Sequence, residues 1–598
     1  MRALATTPQG VEPLDALLGE GIVAEEHYYH ALAQYLGCAY FVGEQPFAKH
    51  FDAVKGLRCG VAPLAPHGGG PRAVIAPRAP LVPGLIEMRA SGRLAPESFA
   101  VASPSRFAAL VRMRRGEAIV ADALRRLPDR LSARRAMSGA QIAAAALVAV
   151  CAAALGAADF HALTGAASAM LWLLFSASIV LRSAAAIAHA DDIRPKALSD
   201  DELPVYSVVV AVYREADVVE DLVRALDGFD YPKSKLDIKL VAERRDDETL
   251  SRILGLRLPA RYELVVAPPG APATKPRALD IALATARGEL IVVYDAEDAP
   301  SPDQLRLAAS RFAADRGLDC LQARLTIRNA DDSWLSKLFA VEYAVLFDLI
   351  NPGLCALGLP VPLGGSSNHF RVASLTRAGG WDAWNVAEDA DLGVRLARCG
   401  CRVGSLSSDT SEEAPHELVN WFRQRVRWQK GWMQTSIVHS REPASVLSAL
   451  GGLGALSATV LIAGCVLSAL FWPAFALDVL MRAFEAGRGV ASAWREATDV
   501  FVYILALAGI WALVVPAVVA AKLRRIDLTA KIFALAPLYF VLVSLAAWAA
   551  ILDLALRPHY WSKTEHGRAR LTAAAKPSRR PLSRKLATGF SSSRTARF

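Results

Sequence analysis

The chain has 598 residues, with 67 Lys and Arg against 58 Asp and Glu and a net charge of +9. Apolar residues make up 53% and charged ones 21%, so several domains are allowed and the apolar excess must be gathered in segments. Basic stretches flanking those segments fit a membrane protein with positive cytoplasmic loops. No zinc-finger spacing or RNA-binding signature accompanies them, which sets nucleic acid aside. Eight scattered cysteines, with Cys399 and Cys401 one residue apart and no pair of CxxC motifs, speak against a zinc site and a disulfide framework. Cys151 and Cys465 lie in apolar segments as small hydrophobes.

The first stretch, "MRALATTPQGVEPLDALL", has no continuous apolar core behind its arginine, so it is not read as a secretory signal and residues 1–130 are expected in the cytosol. Helical spacing at Leu14, Leu17 and Leu18, then at Tyr29, Leu32 and Leu36, predicts two helices broken at Gly19 and Gly21. This segment, "VEPLDALLGEGIVAEEHYYHALAQYLGCAYF", resembles the N-terminal domain of type II secretion ATPases, a small α+β unit. The resemblance implies cyclic di-GMP as a candidate partner, with a docking or folding module as the alternative. The ATPase itself is excluded, because no GxxxxGK[ST] loop is present. The basic stretch "RMRRGEAIVADALRRLPDRLSARR" then reads either as an interfacial helix facing anionic lipid or as a solvated helix.

Two apolar segments follow, at 139–158 and 163–189, giving a transmembrane hairpin over 138–190. Residues 200–416 alternate strand with helix. "VYSVVVAVY", "LDIKLVAE", "RYELVVA" and "GELIVVYD" read as strands separated by helical pattern, which predicts a parallel sheet with crossover helices. Interfacial helices are expected at 417–445, transmembrane helices at 450–556 and a basic cytoplasmic tail at 557–598. Spans at 450–481, 499–521 and 530–555 contain Pro473, Pro516 and Pro537, which neighbouring helices can tolerate. Three crossings after a cytoplasmic domain would put the tail outside. A cytoplasmic tail therefore requires the 450–481 segment to be broken or re-entrant, or one later segment not to cross.

The chemistry starts at "LIVVYDAEDAP", where a buried strand ends in Asp295, Glu297 and Asp298. Such a cluster is costly without a positive partner, and oxygen ligands suit Mg²⁺ or Mn²⁺. Asp295 and Glu297 could share one ion, with substrate phosphates completing the shell; the competing reading is an Asp-rich turn capping the next helix. Other strand and helix ends carry Tyr213, Arg214 and Glu215, then Glu243, Asp246 and Asp247, then Lys275 at the head of a helix, where phosphate contact is favoured. "VAEDADLGVRL" supplies Glu388, Asp389 and Asp391, and "QRVRWQKGW" follows within forty residues.

In this order the segments resemble glycosyltransferase family 2, above all the membrane-embedded cellulose, chitin and hyaluronan synthases. The resemblance implies an α/β GT-A (Rossmann-like) domain embedded between transmembrane helices. It places Tyr213, Glu215, Glu243, Asp246, Lys275, Gln424 and Arg427 at a nucleotide-sugar donor, with a UDP-sugar expected. It places Asp295 and Glu297 where the family has its metal-binding DxD, and Asp389 as general base where the family has TED. Gln424, Arg427 and Trp428 match QxxRW. Trp428, Glu388, Ser366 and His369 are implied on the acceptor side, the last two from "GGSSNHF", with core packing as the competing reading for Trp428 and a structural hydrogen bond as that for His369. Departures are Glu for the second Asp of DxD and Ala387 for the Thr of TED; neither removes an essential group. Glu388 and Asp391 are expected to raise the basicity of Asp389. "PHYWSKTEHG" is read as an interfacial anchor or a lid carrying His566. The implied activity is inverting, processive transfer that elongates a polysaccharide, a β-glucan or similar exopolysaccharide, through a multi-pass protein of a bacterial inner membrane in contact with membrane lipid. The alternatives are transfer of one sugar to a lipid carrier and a secretion scaffold with an inactive domain; the intact carboxylates speak against the scaffold.

Overall fold

The computed structural model describes residues 7–188, 195–486 and 493–561. His566 and the rest of the basic tail from residue 562 onward lie outside the described residues. The N-terminal domain opens with α1 (Pro13–Gly19) and α2 (Glu25–Leu36), the two helices the leucine spacing predicts. Tyr29, Leu32 and Leu36 bury against Val82, Phe99 and Val101. Next come β1 (Ala39–Tyr40), α3 (Ala53–Cys59), β2 (Val61–Pro63), β3 (Ala73–Ile75), α4 (Val82–Ala90) and β4 (Phe99–Val101), forming a four-stranded sheet in the order β1-β4-β3-β2.

Helix α5 (Pro104–Arg125) carries the basic stretch, and it faces protein rather than lipid. Arg112 is buried and pairs with Glu263 at 2.6 Å. Arg114 and Arg115 donate to backbone carbonyls of Gln45 and Lys49 at 2.7 and 3.0 Å, and Arg126 donates to Asp280 O at 2.9 Å. The apolar side of α5 joins the core of the following domain, Val111, Ile119 and Val120 packing in one cluster with Val265, Ala267 and Leu279. The guanidinium groups of Arg112, Arg114, Arg115 and Arg126 are thus committed to protein, which corrects both readings for those positions, whereas Arg125, Arg130, Arg134 and Arg135 remain exposed.

After the apolar hairpin α6 (Gly139–Ala158) and α7 (Phe160–Ile187), the second sheet begins. In chain order it contains β5 (Tyr206–Val212), α8 (Val219–Asp227), β6 (Leu236–Glu243), α9 (Asp247–Gly255), β7 (Tyr262–Ala267), α10 (Lys275–Leu283), β8 (Leu290–Tyr294), β9 (Ala299–Pro300), α11 (Gln304–Ala314) and β10 (Leu318–Ile327). Then follow α12 (Trp334–Ala356), β11 (Asn368–Arg371), α13 (Val372–Arg377), α14 (Glu388–Arg398) and β12 (Arg402–Glu412). The strand order is β7-β6-β5-β8-β11-β10-β12-β9. The first four are parallel, as the alternation predicts. The sheet then turns mixed, because β11 inserts antiparallel between β8 and β10. Helices cover both faces, so β8 buries completely and reads as an unbroken apolar run, and β5 is buried except at Ala211, with Ser207 its one polar residue.

Register places the chemistry. Val210 pairs with Tyr294 and Val212 with Ala242, so Tyr213, Glu243 and Asp295 leave the sheet at one carboxyl edge. Ile327 pairs with Glu412 in the parallel β10–β12 ladder, and Ser411 pairs with Ala299. That pairing carries Glu412 to the loop 295–298 from more than a hundred residues away.

The remaining helices are α15 (Leu418–His439), α16 (Pro443–Glu485), α17 (Ala493–Arg524) and α18 (Ala530–Leu556). Among the described residues six helices are long and apolar enough to cross a membrane: α6, α7, α12, α16, α17 and α18. The sequence reading lacks α12, whose Lys337, Glu342 and Asp348 interrupt its apolar run. Pro473, Pro516 and Pro537 all sit inside continuous helix. Arg524, at the end of α17, holds Asp348 through two contacts of 2.6 Å and Asp409 at 2.9 Å. Helix α18 runs alongside α15. Its Tyr539 donates to Glu342 at 2.6 Å, its Asp553 accepts from Lys430 at 2.6 Å, and just past its end Tyr560 O accepts from Lys430 at 2.8 Å. Tyr539, about a third of the way along α18, and the C-terminal end of α18 therefore lie against the helices that flank the sheet.

Candidate active site

Tyr213 stands at the tip of β5 with the guanidinium groups of Arg214 and Arg245 5.3 and 5.2 Å from its ring centre. Arg214 has a φ of +56°, a conformation unusual outside glycine that concentrates at functional turns. Asp246 holds this turn: one oxygen accepts from Arg214 N at 2.5 Å and the other caps α9 at Thr249 N. Its carboxylate is thus committed to backbone, and Asp246 does not line the cavity described below. The sequence-based assignment of Asp246 to the donor is corrected on that ground. Glu243 does line the cavity, and both its oxygens accept from Arg277 Nη2, at 2.7 and 2.9 Å.

Lys275 opens α10 and donates to Asp295 and, at 2.8 Å, to Gly365 O. Burial alone would lower its ammonium, but Asp295 and Glu388 outweigh that and hold it above its usual range. Part of the charge at the end of β8 is therefore balanced from within. Asp298 turns back, accepting from Asp295 N at 2.8 Å and from the Ser366 hydroxyl. Ser366 reaches the cavity wall, but its hydroxyl is engaged by Asp298. Burial, then the charges of Asp295 and Glu297, push the Asp298 carboxyl well up; burial, then Asp298 and Asp295, do the same to Glu412.

Two buried carboxylate oxygens, Asp298 Oδ1 and Glu412 Oε1, have no hydrogen-bond partner. Such orphaned acceptors are costly and call for a cation or water. Among the described residues no three His, Cys, Asp or Glu side chains converge at metal-binding spacing. The donor set is nonetheless all hard oxygen. It fits Mg²⁺ or Mn²⁺ held by one or two carboxylates, Asp295 and Glu297 being the cavity-facing pair, with phosphate oxygens and water for the remainder.

Helix α14 begins at Glu388 and Asp389, both on the cavity. Asp389 Oδ1 accepts from Ala390 N at 2.8 Å, while Oδ2 faces Gly365, close enough that a β-carbon there would lie 3.3 Å away. Burial raises Asp389; burial and then the charge of Asp389 raise Glu388 to about 7. Asp391 plays no part in this. It is turned away, bound by Arg395 at 2.6 Å and His439 at 3.1 Å, so the expected contribution of Asp391 to the basicity of Asp389 is replaced by burial.

Helix α15 supplies Gln424, Arg427 and Trp428 to the same cavity. Arg427 donates to Val386 O at 3.2 Å and lies 5.9 Å from the ring centre of Trp561, just past α18. Gly431, one turn further along, lets α15 approach Ala387 so closely that any side chain would collide. Trp428 sits near Tyr343 and Phe339, at ring separations of 6.3 and 5.8 Å. Arg425, which the sequence reading passes over, lies 4.6 Å from the Trp428 ring and pairs with both oxygens of Glu342. It hides in the sequence as a spacer of the QRVRW segment.

His369 belongs to the sheet, not the acceptor side. It is fully buried between Tyr206 OH at 2.7 Å and Gln304 at 3.3 Å, and burial depresses it to about 3, so it stays neutral. Both ring nitrogens are engaged inside the sheet layer and none of the ring reaches the cavity, which corrects the assignment.

One cavity of about 1160 Å³ connects these groups. It starts at Tyr213, Glu243 and Lys275, passes Asp389 and Trp428, and continues between the apolar helices to Trp472, Phe475 and Phe540. A mixed α/β sheet with acids and a nucleotide-type edge at its carboxyl end, joined to apolar helices, is a GT-A-like glycosyltransferase fold. Residues 290–551 match the family model described as glycosyl transferase family group 2.

Curated relatives are distant. A probable glycosyltransferase YdaM of Bacillus subtilis (strain 168) is 25% identical over 235 residues, 38% of this chain and 56% of that protein. A beta-monoglucosyldiacylglycerol synthase of Trichormus variabilis is 27% identical over 237 residues, 39% of this chain and 50% of that one. The match thus spans about half the length of these relatives. A solved structure of a mannosyltransferase from Pyrobaculum calidifontis, in complex with GDP-Man and Mn²⁺, aligns with a TM-score of 0.44 and 19% identity, over 65% of this chain and 98% of that one.

Proposed function

We propose that this chain is an inverting, processive glycosyltransferase that extends a polysaccharide from a nucleotide-sugar, UDP-linked by preference, and passes the product into its own helix bundle. The observation that carries the reading is the single cavity running from the acid-lined sheet edge to Trp472 and Phe540. Tyr213 and Glu243 bind the nucleotide, and Lys275 and Arg427 pair with its diphosphate. A divalent ion at Asp295 and Glu297, when bound, supplies further neutralisation of the leaving diphosphate. Asp389 takes the proton of the acceptor hydroxyl at Oδ2, the oxygen facing Gly365. Trp428, backed by Tyr343 and Phe339, offers an aromatic face to the acceptor sugar. Cyclic di-GMP at the N-terminal domain stays a candidate partner on the family resemblance alone.

A second reading is transfer of one sugar to a lipid. It is favoured by the mostly apolar walls of the deeper cavity and by relatives named as glucosyldiacylglycerol synthases. Purified protein in lipid nanodiscs, given radiolabelled nucleotide-sugars, separates the two. The expected product is a glycosidase-sensitive polymer; a single labelled sugar extracted with lipid would replace the main reading by the second.

For topology we propose that α6 with α7 and α16 with α17 cross a bacterial inner membrane as two hairpins, and that α18 lies along its cytoplasmic surface beside α15. The contacts of Arg524, Tyr539 and Asp553 support this, and it removes the parity conflict of three crossings. In a chain stripped of native cysteines, Asp527→Cys and Tyr560→Cys should react with impermeant maleimide from the same face, opposite to Asp159→Cys. Labelling of Tyr560→Cys from the face of Asp159→Cys would mean that α18 crosses.

A further inference from the structure

The N-terminal domain does not merely sit beside the sheet. Its last helix, α5, is kinked at Arg115 (φ −126°, ψ 23°), and the next residue is Gly116. A β-carbon at Gly116 would lie 2.5 Å from Pro268 Cβ, so α5 rests there directly on the loop that joins β7 to α10. One turn on, Val120 fills the space under Gly270, where a β-carbon would lie 3.1 Å from Val120 Cγ1. A helix-interior glycine is unfavourable unless close approach requires it, as here.

That loop ends in Thr274 and Lys275. Arg277 ties it to the nucleotide edge, donating from Nη1 to Gly270 O at 2.7 Å and from Nη2 to both oxygens of Glu243. Thr274 donates to Ala383 O at 2.8 Å, and Ala273, Thr274 and Lys275 all line the cavity. On the other side of the kink, Arg114 and Arg115 grip the backbone of the loop 43–49 of the N-terminal domain. Arg112, bound to Glu263 at 2.6 Å and to Thr285 at 3.1 Å, clamps α5 to both β7 and the end of α10. With both flanks fixed, a displacement at Gly116 has to be taken up by the loop 268–274.

We infer that Gly116 and Val120 are positioning residues for the donor pocket: α5 presses the loop 268–274 into the form that sets Arg277, Glu243 and Lys275, so the N-terminal domain governs donor affinity from outside the catalytic sheet. This rests on the reading of that sheet edge as the donor site.

The test uses the full-length protein in nanodiscs, with UDP and GDP each titrated in the presence of Mg²⁺. Gly116→Ala should raise the Kd of the nucleotide that binds by about tenfold, and the KM for its sugar donor likewise, with kcat at saturating donor within about twofold. Pro268→Gly in the Gly116→Ala background removes the carbons that would collide and should return the Kd to within about twofold of the wild type. Val120→Ala, which only opens space under Gly270, should weaken binding by about threefold and covers the case in which Gly116→Ala misfolds. An unchanged Kd in Gly116→Ala or in Val120→Ala overturns the inference. So does a fall in kcat with an unchanged KM, or a failure of Pro268→Gly to restore binding. If the wild type binds neither nucleotide, the donor-site reading fails first and the inference falls with it.

Discussion

Asp389→Asn is expected to lower turnover by about 10³-fold while leaving nucleotide affinity within about twofold. The change preserves shape. The Asn side-chain oxygen can still accept from Ala390 N, so the start of α14 should keep its place. What is lost is the basic oxygen that faces Gly365, and an amide cannot take a hydroxyl proton. The pH profile should agree. Burial raises Asp389, and Glu388 beside it is raised to about 7. The base must be ionised to act, so kcat/KM should rise with pH through an acid limb that belongs to the pair rather than to either residue. Glu388→Gln removes one of the two acids and should move that limb to lower pH. A turnover loss in Asp389→Asn below tenfold, or an acid limb unmoved in Glu388→Gln, would take the base role from this residue.

Arg425→Met is expected to be the most damaging change outside the reacting groups. Arg425 is buried, pairs with Glu342 at 2.7 and 2.5 Å, donates to Tyr539 OH at 2.7 Å, and lies within 5.6 Å of four aromatic ring centres. Removing one partner of a buried pair costs about 3–5 kcal/mol because the other charge is stranded. Glu342 keeps 43% exposure towards the cavity, and water there screens it, so about 2–3 kcal/mol is the figure expected here. Thermal unfolding in detergent should shift down by several degrees, and Trp428 should lose its fixed plane, raising KM for acceptor oligosaccharide more than for donor. Adding Glu342→Gln to Arg425→Met removes the stranded charge and should recover at least about half of the lost stability. No recovery in the double variant would mean that the pair is not what holds this corner.

Much of the architecture is legible along the chain because it is local. The span of β6 follows directly from "LDIKLVAE", and the acids after β8 stand out by their charge against a buried run. Long-range pairing is what escapes. Glu412 joins the acid cluster only through the β10–β12 ladder, and β11, four residues without clear alternation, gives no warning that it will enter antiparallel. Depth escapes too. His369 and Asp246 lie in segments of the right chemistry, yet one is sealed inside the sheet and the other caps a helix. Arg112 and Arg114 of α5 show the same limit: the basic run suggests lipid, but Arg114 donates to a carbonyl of the loop 43–49 and Arg112 pairs with Glu263 of β7, partners that only tertiary packing brings near.

The most direct test of the donor site is titration of UDP, with and without Mg²⁺, into the wild type and Asp295→Asn. Asp295 faces the cavity and holds Lys275, so its neutralisation strips the site of a ligand oxygen charge and frees the ammonium at once. The expected result is binding that needs Mg²⁺ in the wild type and is weakened by at least about tenfold in the variant. Equal binding by both proteins with a chelator present would contradict a metal-assisted nucleotide-sugar site at the end of β8.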